Sequence, residues 1–285
     1  MHENRRSILI LNFGVLLFGG TPLFSKLITL SAIDITILRS GIAGLVLMIW
    51  LLIWRRLVPL QRKDIPLMLL AGILFGVHWS LFFLSVQVST VAVGIVTLFT
   101  HPVMVVFLEP LFAGARPRQR DIFSACMVVI GIYFMVPEFS FDNEIALGVT
   151  FGLISAFLFS FRLIIQRQYL RHYPGDLCLF YLLLVVTLIL LPFASTQALD
   201  KDASQWWLIV LLAVVFTAIP HTIITRSLRY LSAKTTSLVN SVQVVYSTLL
   251  AVLILSEIPT WQTVVGGSMI VFAAVNESLT TMRAK

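Results

Sequence analysis

The chain has 285 residues, 59% of them hydrophobic and 12% charged, with a net charge of +7. Soluble domains put about a quarter of their residues into charge because their surface faces water, so a soluble globular fold is excluded. A spanning helix takes about 20 apolar residues, so ten would use roughly 200 and leave no length for a separate catalytic or nucleotide-binding domain. The apolar runs are solid rather than alternating, which excludes a transmembrane β-barrel. The Lys and Arg residues sit at the ends of apolar runs rather than on one solvated face. Nucleic acid is therefore not an expected partner; the lipid bilayer is.

In chain order, the start MHENRRSILILNFGVLLFGG joins a basic stretch to an apolar run with no small-residue cleavage site. It is expected to be a retained first helix rather than a signal peptide. Spans are predicted at 7–28, 33–54, 65–86, 90–114, 119–137, 145–167, 176–195, 206–226, 234–255 and 260–279. Cys126 and Cys178 both fall inside apolar runs, so no disulfide framework is expected. The loops alternate in charge. One set holds Arg5, Arg6, Arg55, Arg56, Arg62, Lys63, Arg116, Arg118, Arg120, Arg167, Arg171, Arg226, Arg229, Lys234, Arg283 and Lys285. The other holds Lys26, Lys201 and most of the loop acids, Glu138, Asp142, Glu144, Asp200, Asp202 and Glu257. The positive-inside rule places the first set in the cytoplasm, so both termini are cytoplasmic and the number of spans is even.

Sliding the sequence on itself by 142 residues aligns the halves without a gap from about residue 34 to 133. Asp34 falls on Asp176, Leu69-Leu70-Ala71 on Leu211-Leu212-Ala213, and Pro117 on Pro259. Five helices in each half is an odd number, so the second half must sit inverted. The expected fold is an all-α integral membrane protein. Its ten transmembrane helices form two inverted five-helix repeats, residues 1–140 and 141–285, around a central cavity. Inverted repeats with a site at the midplane are the architecture of secondary transporters.

The stretch AGILFGVHWSLFFLSVQVSTVAVGIVTLFTHPVMVVFLEPLF resembles the third and fourth helices of EamA-type members of the drug/metabolite transporter superfamily. The stretch RSLRYLSAKTTSLVNSVQVVYSTLLAVLILSEIPTWQTVVGGSMIVFAAV resembles the eighth to tenth, including the LILSE helix end at Glu257 and the pair Gly266-Gly267. Val244 and Ala115 stand where the family more often has a proline and an acid. The resemblance implies a cavity lined by helices 1, 3, 4, 6, 8 and 9, and transport towards export. It also implies the cytoplasmic (inner) membrane of a bacterium.

Polar groups buried in a membrane are costly and tend to mark a pathway. The middles of several spans hold them: Gly19-Gly20-Thr21-Pro22, His78-Trp79, Thr100-His101-Pro102, Pro220-His221, and Asn240, Gln243 and Tyr246. With Phe99, these residues are the predicted substrate-binding set: Thr21, His78, Trp79, Phe99, Thr100, His101, His221, Asn240, Gln243 and Tyr246. Gly19, Gly20, Pro22, Pro102 and Pro220 are the predicted helix breaks and gating points. Each proline lacks an N–H and frees the carbonyl one turn earlier, at Phe18, Leu98 and Phe216. The competing reading stays open: a histidine can simply bond to a neighbouring helix, Trp79 and Tyr246 can pack, and the prolines can only bend. Arg39 and Arg162, near span ends, are expected to snorkel to the membrane surface. Glu109 could pair with Arg116 or carry protons; His101 is the second candidate for proton coupling.

The expected function is secondary transport of a small organic metabolite, amino-acid-like or otherwise amphipathic, by alternating access. Protons or a counter-substrate could drive it, and the oligomeric state is monomer or homodimer. No metalloprotease or nucleophile-elbow motif points to an enzyme, and no cofactor or resident metal is expected. A membrane-embedded enzyme or a channel using the midplane histidines is the alternative.

Overall fold

The structure, a computed structural model, describes residues 2–113, 119–136, 143–198, 200–227 and 240–281. The loop residues Arg116, Arg118, Glu138, Asp142, Arg229, Lys234, Arg283 and Lys285, and the first part of the run 234–255, lie outside the described residues. The described residues form helices and no strand. Helix α1 (His2–Gly20) passes through a 3-10 turn, Thr21–Leu23, into the short α2 (Phe24–Leu27). There follow α3 (Ala32–Ile53), α4 (Ile65–Val88), α5 (Val91–Leu98), α6 (His101–Ala113), α7 (Gln119–Met135), α8 (Glu144–Tyr169) and α9 (Gly175–Leu190). Helix α10 (Ala203–Ala213) continues through a π turn, Val214–Ala218, into α11 (Ile219–Ser227). Then come α12 (Gln243–Leu250), with a π turn at Ala251–Leu255, and α13 (Trp261–Thr281).

Seven stretches are long and apolar enough to cross a membrane: Leu9–Leu27, Ala32–Ile53, Arg62–Val88, Val91–Leu108, Glu144–Tyr169, Gly175–Phe193 and Ala203–Ile223. Three shorter apolar helical stretches, Ile122–Met135, Gln243–Leu255 and Trp261–Asn276, fall in the fifth, ninth and tenth apolar runs of the sequence.

Side-chain caps start α3, α5, α8 and α10. Ser31 Oγ accepts from the Asp34 N–H at 3.1 Å and donates to Asp34 Oδ2 at 2.7 Å. Thr90, Asn143 and Asp202 likewise take orphan N–H groups at the starts of α5, α8 and α10. Helix α3 stops where Arg55 turns left-handed (φ 50), with Arg56 N–H reaching back to Leu51 O at 2.8 Å, the closing bond of a Schellman end.

Helix α4 packs on α8 and α9, α3 on α9 and α10, α1 on α11 and α12, α7 on α13, and α8 also on α5 and α6. Small residues set the closest approaches, as membrane helices require where packing replaces the hydrophobic drive. At the α7–α13 crossing, a Cβ on Gly131 would sit 2.7 Å from the Gly266 carbonyl oxygen. Along α8, Gly148 and Gly152 let the helix close onto Ser89 and Thr97. The outer surface carries exposed Leu52, Ile53, Leu253 and Phe272, and exposed Trp54, Trp207 and Trp261 near helix ends, where aromatic residues sit at a membrane interface.

Candidate functional site

Three helical stretches are interrupted beside a proline. The 3-10 turn holds Pro22, a turn at Phe99–Thr100 precedes Pro102, and the π turn Val214–Ala218 precedes Pro220. All three freed carbonyls find a donor. Phe18 O accepts from Gln243 Nε2 at 3.4 Å, and Phe216 O accepts from Thr21 Oγ1 at 2.9 Å. Leu98 O lies 3.0 Å from His101 Nδ1; a carbonyl can only accept, so Nδ1 carries the ring proton. The Thr21 and Gln243 bonds are reciprocal: the break after α1 donates to the break before α11, and α12 donates back to α1. Gly19 and Gly20 permit this closeness, because a Cβ on Gly19 would stand 2.7 Å from Tyr246 Cβ and one on Gly20 would meet the Phe216 ring.

Around these breaks lies a cluster of aromatic rings and basic side chains. Arg39 and Arg162 do not reach the membrane surface as expected: they are 1% and 6% exposed. The Arg39 guanidinium carbon sits 3.9 Å over the Trp79 ring and 5.2 Å from that of Phe83, with Nε donating to Thr217 Oγ1 at 2.7 Å. Thr217 itself donates to Leu212 O five residues back, the spacing of the π turn. The Arg162 guanidinium carbon sits 4.3 Å over Phe75 and 5.6 Å from Phe159. Phe75 and Trp79 adjoin one another, with centroids 4.2 Å apart. Each arginine is on a helix face covered by its neighbours. The delocalised guanidinium finds ring faces there to offset lost water, where a snorkelling side chain would need a path out.

The histidines border the same cluster. His78 is 2% exposed; its Nδ1 lies 2.7 Å from Ser155 Oγ and 3.0 Å from Ser155 O, while Ser155 Oγ donates to His78 O at 3.0 Å. Its ring stacks on Phe159 at 4.7 Å. His101 also meets Phe159 edge-on at 4.9 Å and Phe99 at 5.8 Å. His221 meets Phe18 edge-on at 4.7 Å and lies 6.3 Å from Trp79.

The structure therefore brings His78, Trp79, His101, His221, Phe99, Thr21 and Gln243 into one connected neighbourhood. Thr100, fully buried, donates back to Thr97 O at 2.7 Å within its own turn. Tyr246 packs against Gly19, and Asn240 is half-buried at the start of the described part of its helical stretch. The side chain of Glu109 lies outside the described residues. Phe18, Phe75, Ser155, Phe159, Arg162, Arg39 and Thr217 join the neighbourhood without being among the predicted site residues. An arginine inside an apolar run is itself the signal for two of them. Among the described residues, no group of three or more His, Cys, Asp or Glu side chains is placed to hold a metal ion.

Polar clasps close both ends of α4. At one end Lys26 Nζ donates to Ser89 O at 2.8 Å and Gln87 O at 3.2 Å, and lies 3.9 Å from Glu257. Glu257 Oε2 accepts from the Val91 N–H at the start of α5 at 2.9 Å. At the other end Asp64 Oδ2 accepts from the Tyr173 hydroxyl at 2.8 Å and lies 2.9 Å from His172 Nε2. Partial desolvation, and then the neighbouring carboxylate, push the Tyr173 phenol above its ordinary value.

Known proteins share this architecture. A solved crystal structure superposes over 99% of both chains with a TM-score of 0.64 at 18% identity, a likeness of fold. The pseudopaline exporter CntI of Pseudomonas aeruginosa (strain UCBPP-PA14) is 27% identical over 254 residues, 88% of each chain. The threonine/homoserine exporter RhtA of Escherichia coli (strain K12) is 25% identical over 272 residues, 93% of this chain and 88% of the relative. The EamA-like transporter family matches residues 5–136 and again residues 146–276. A multi-pass helical membrane protein matched across both halves in this way belongs to the EamA-like transporter family.

Proposed function

We propose that the chain is a secondary transporter that exports a small organic metabolite, amino-acid-like or otherwise amphipathic, across the cytoplasmic membrane of a bacterium. In this reading ten helical stretches span the bilayer, both termini are cytoplasmic, and residues 1–140 and 141–285 are inverted five-helix repeats. Alternating access comes from rocking of one repeat against the other around the midplane cluster. The observation that carries the reading is the double family match, one to each half. The helix pairing supports it, because it maps onto itself when the halves are exchanged. Contact of α1 with α11 corresponds to that of α8 with α4, and α1 with α12 to α8 with α5 and α6. Contacts of α3 with α9 and of α7 with α13 each correspond to themselves. That CntI and RhtA are exporters supports the outward direction and a small solute.

The site comprises His78, Trp79, Phe99, His101, His221, Asn240 and Tyr246, with Thr21 and Gln243 holding the helix breaks and Pro22, Pro102 and Pro220 allowing them. Proton coupling, if present, runs through His101 or Glu109. The test is counterflow in proteoliposomes with labelled threonine, homoserine and a wider metabolite set, with and without a pH gradient. Saturable exchange that drops in His78→Ala and His101→Ala supports the reading. Conductive flux without saturation refutes the carrier in favour of a channel. Indifference to a pH gradient removes proton coupling alone.

A further inference from the structure

Two cations and one imidazole in the midplane cluster keep unbonded nitrogens. Arg39 Nη1, Arg162 Nε and His221 Nε2 are each buried and make no hydrogen bond. Among the described residues, the ion pairs are Lys26 with Glu257 and His172 with Asp64, so neither arginine has a carboxylate partner. Asp34, in the same helix as Arg39, is occupied by Ser31 and Ser195. A charged donor buried without a partner is among the costliest features a fold can hold, and the ring faces under each guanidinium offset part of that cost. Such an arrangement persists where a ligand completes it.

We propose that Arg39 and Arg162 form a binding subsite for an organic dianion, each guanidinium taking one carboxylate while the carbon skeleton lies against Phe75 and Trp79. The assignment rests on the transporter reading and names the substrate class of its site. Three features select this chemistry. Guanidinium forks match carboxylates. Each guanidinium lies over its own ring, Arg39 at 3.9 Å from Trp79 and Arg162 at 4.3 Å from Phe75, which suits two carboxylates on a carbon frame better than one compact phosphate. Among the described residues no carboxylate pairs with either arginine, so within the amphipathic solutes of the proposed function the subsite favours a net anion over a zwitterion. The His221 ring, 6.3 Å from that of Trp79 between centroids, carries an unbonded Nε2 as a further polar group.

The experiment uses the purified full chain in detergent and reads thermal stability against phenylsuccinate, its dimethyl ester, phenethylamine and inorganic phosphate. Phenylsuccinate is expected to stabilise the protein, and the ester, amine and phosphate are not. Arg39→Gln and Arg162→Gln should each weaken the apparent affinity for phenylsuccinate about tenfold to a hundredfold, the value of a charge-assisted hydrogen bond. Without ligand, Arg162→Gln should be no less stable than the parent, since it removes an unpaired charge; a structural arginine would give the opposite. Equal stabilisation by the dimethyl ester, a preference for phosphate, or full affinity in both glutamine variants overturns the proposal. If a variant does not fold, the comparison of diacid with diester on the parent protein decides alone. Transport failure and subsite failure remain separable. Diacid binding without any counterflow refutes the carrier and leaves the subsite, and counterflow of a neutral solute with no diacid binding does the reverse.

Discussion

Replacing Thr21 with Val keeps the volume of a 4% exposed side chain and removes one hydrogen bond, the 2.9 Å contact from Oγ1 to Phe216 O. In water-soluble proteins an orphaned buried carbonyl costs about 1–3 kcal/mol. Within a membrane, inter-helix hydrogen bonds average only about 0.6 kcal/mol and reach about 1.7, because the unfolded helices also find partners in the lipid. Here the upper part of that range applies. Pro220 has no N–H to offer the same carbonyl, so loss of the hydroxyl leaves Phe216 O without the donor four residues on that an α-helix supplies. We expect Thr21→Val to cost about 1–1.5 kcal/mol, and Gln243→Leu, whose bond to Phe18 O is 3.4 Å, to cost less through this contact. The assay is equilibrium unfolding in mixed micelles, with a double-mutant cycle against Pro220→Ala. Restoring an N–H at position 220 gives Phe216 O a donor, so Thr21→Val should cost markedly less in that background. An equal cost in both backgrounds, or a smaller cost for Thr21→Val than for Gln243→Leu, would refute the idea that the proline-freed carbonyl sets the value of the bond.

Gly266→Val should separate α7 from α13, because its Cβ would collide with the Gly131 carbonyl and approach Met135 Cγ at 2.8 Å. A loss of about 1–3 kcal/mol is expected from overpacking, while Gly41→Ala, whose Cβ would rest 3.5 Å from Thr187, should be tolerated; thermal unfolding in one detergent compares them. Glu257→Gln keeps an acceptor for the Val91 N–H and loses an ion pair of 3.9 Å, so it should stay within about 0.5 kcal/mol of the parent. Glu257→Leu orphans that N–H and should cost about 1–3 kcal/mol; the reverse order in chemical unfolding would make the ion pair the important term. Asp202 caps α10, and the Gln205 N–H, followed by Ser204, holds its carboxyl below the ordinary value. A lowered folded-state value means the stabilisation is present above the unfolded value of about 3.8 and lost as pH falls through the folded one. The stability gap between the parent and Asp202→Ala should therefore be full at pH 7 and close as the pH falls below that unfolded value.

Several features are legible in the sequence alone. Solid apolar runs near bilayer length predict spanning helices whatever their neighbours do, since backbone polar groups in lipid must be satisfied within each segment. Prolines 22, 102 and 220 predict helix breaks because the missing N–H is a local fact. The three freed carbonyls follow from the same arithmetic, and each is a contact point in the folded chain. The offset of 142 residues brings out the two halves that the family matches separately.

What the sequence does not carry is rotation. A helix that is apolar all round has no preferred inward face, so the residues around Arg39 in α3 and Arg162 in α8 do not say which way either points; the cost of a charge within an apolar run is the one signal for the interior. Depth alone suggests the membrane surface for both. Packing of α3 on α9 and α10, and of α8 on α4, turns the arginines inward onto Trp79 and Phe75. The same rotation of α8 sets Ser155 against His78. Composition, charge order and proline spacing act along the chain and determine how many segments there are and where they break. Which polar groups meet depends on contacts between helices far apart in sequence, where close packing at glycines such as Gly148 and Gly152 selects one rotation of each helix from many that the bilayer would accept equally.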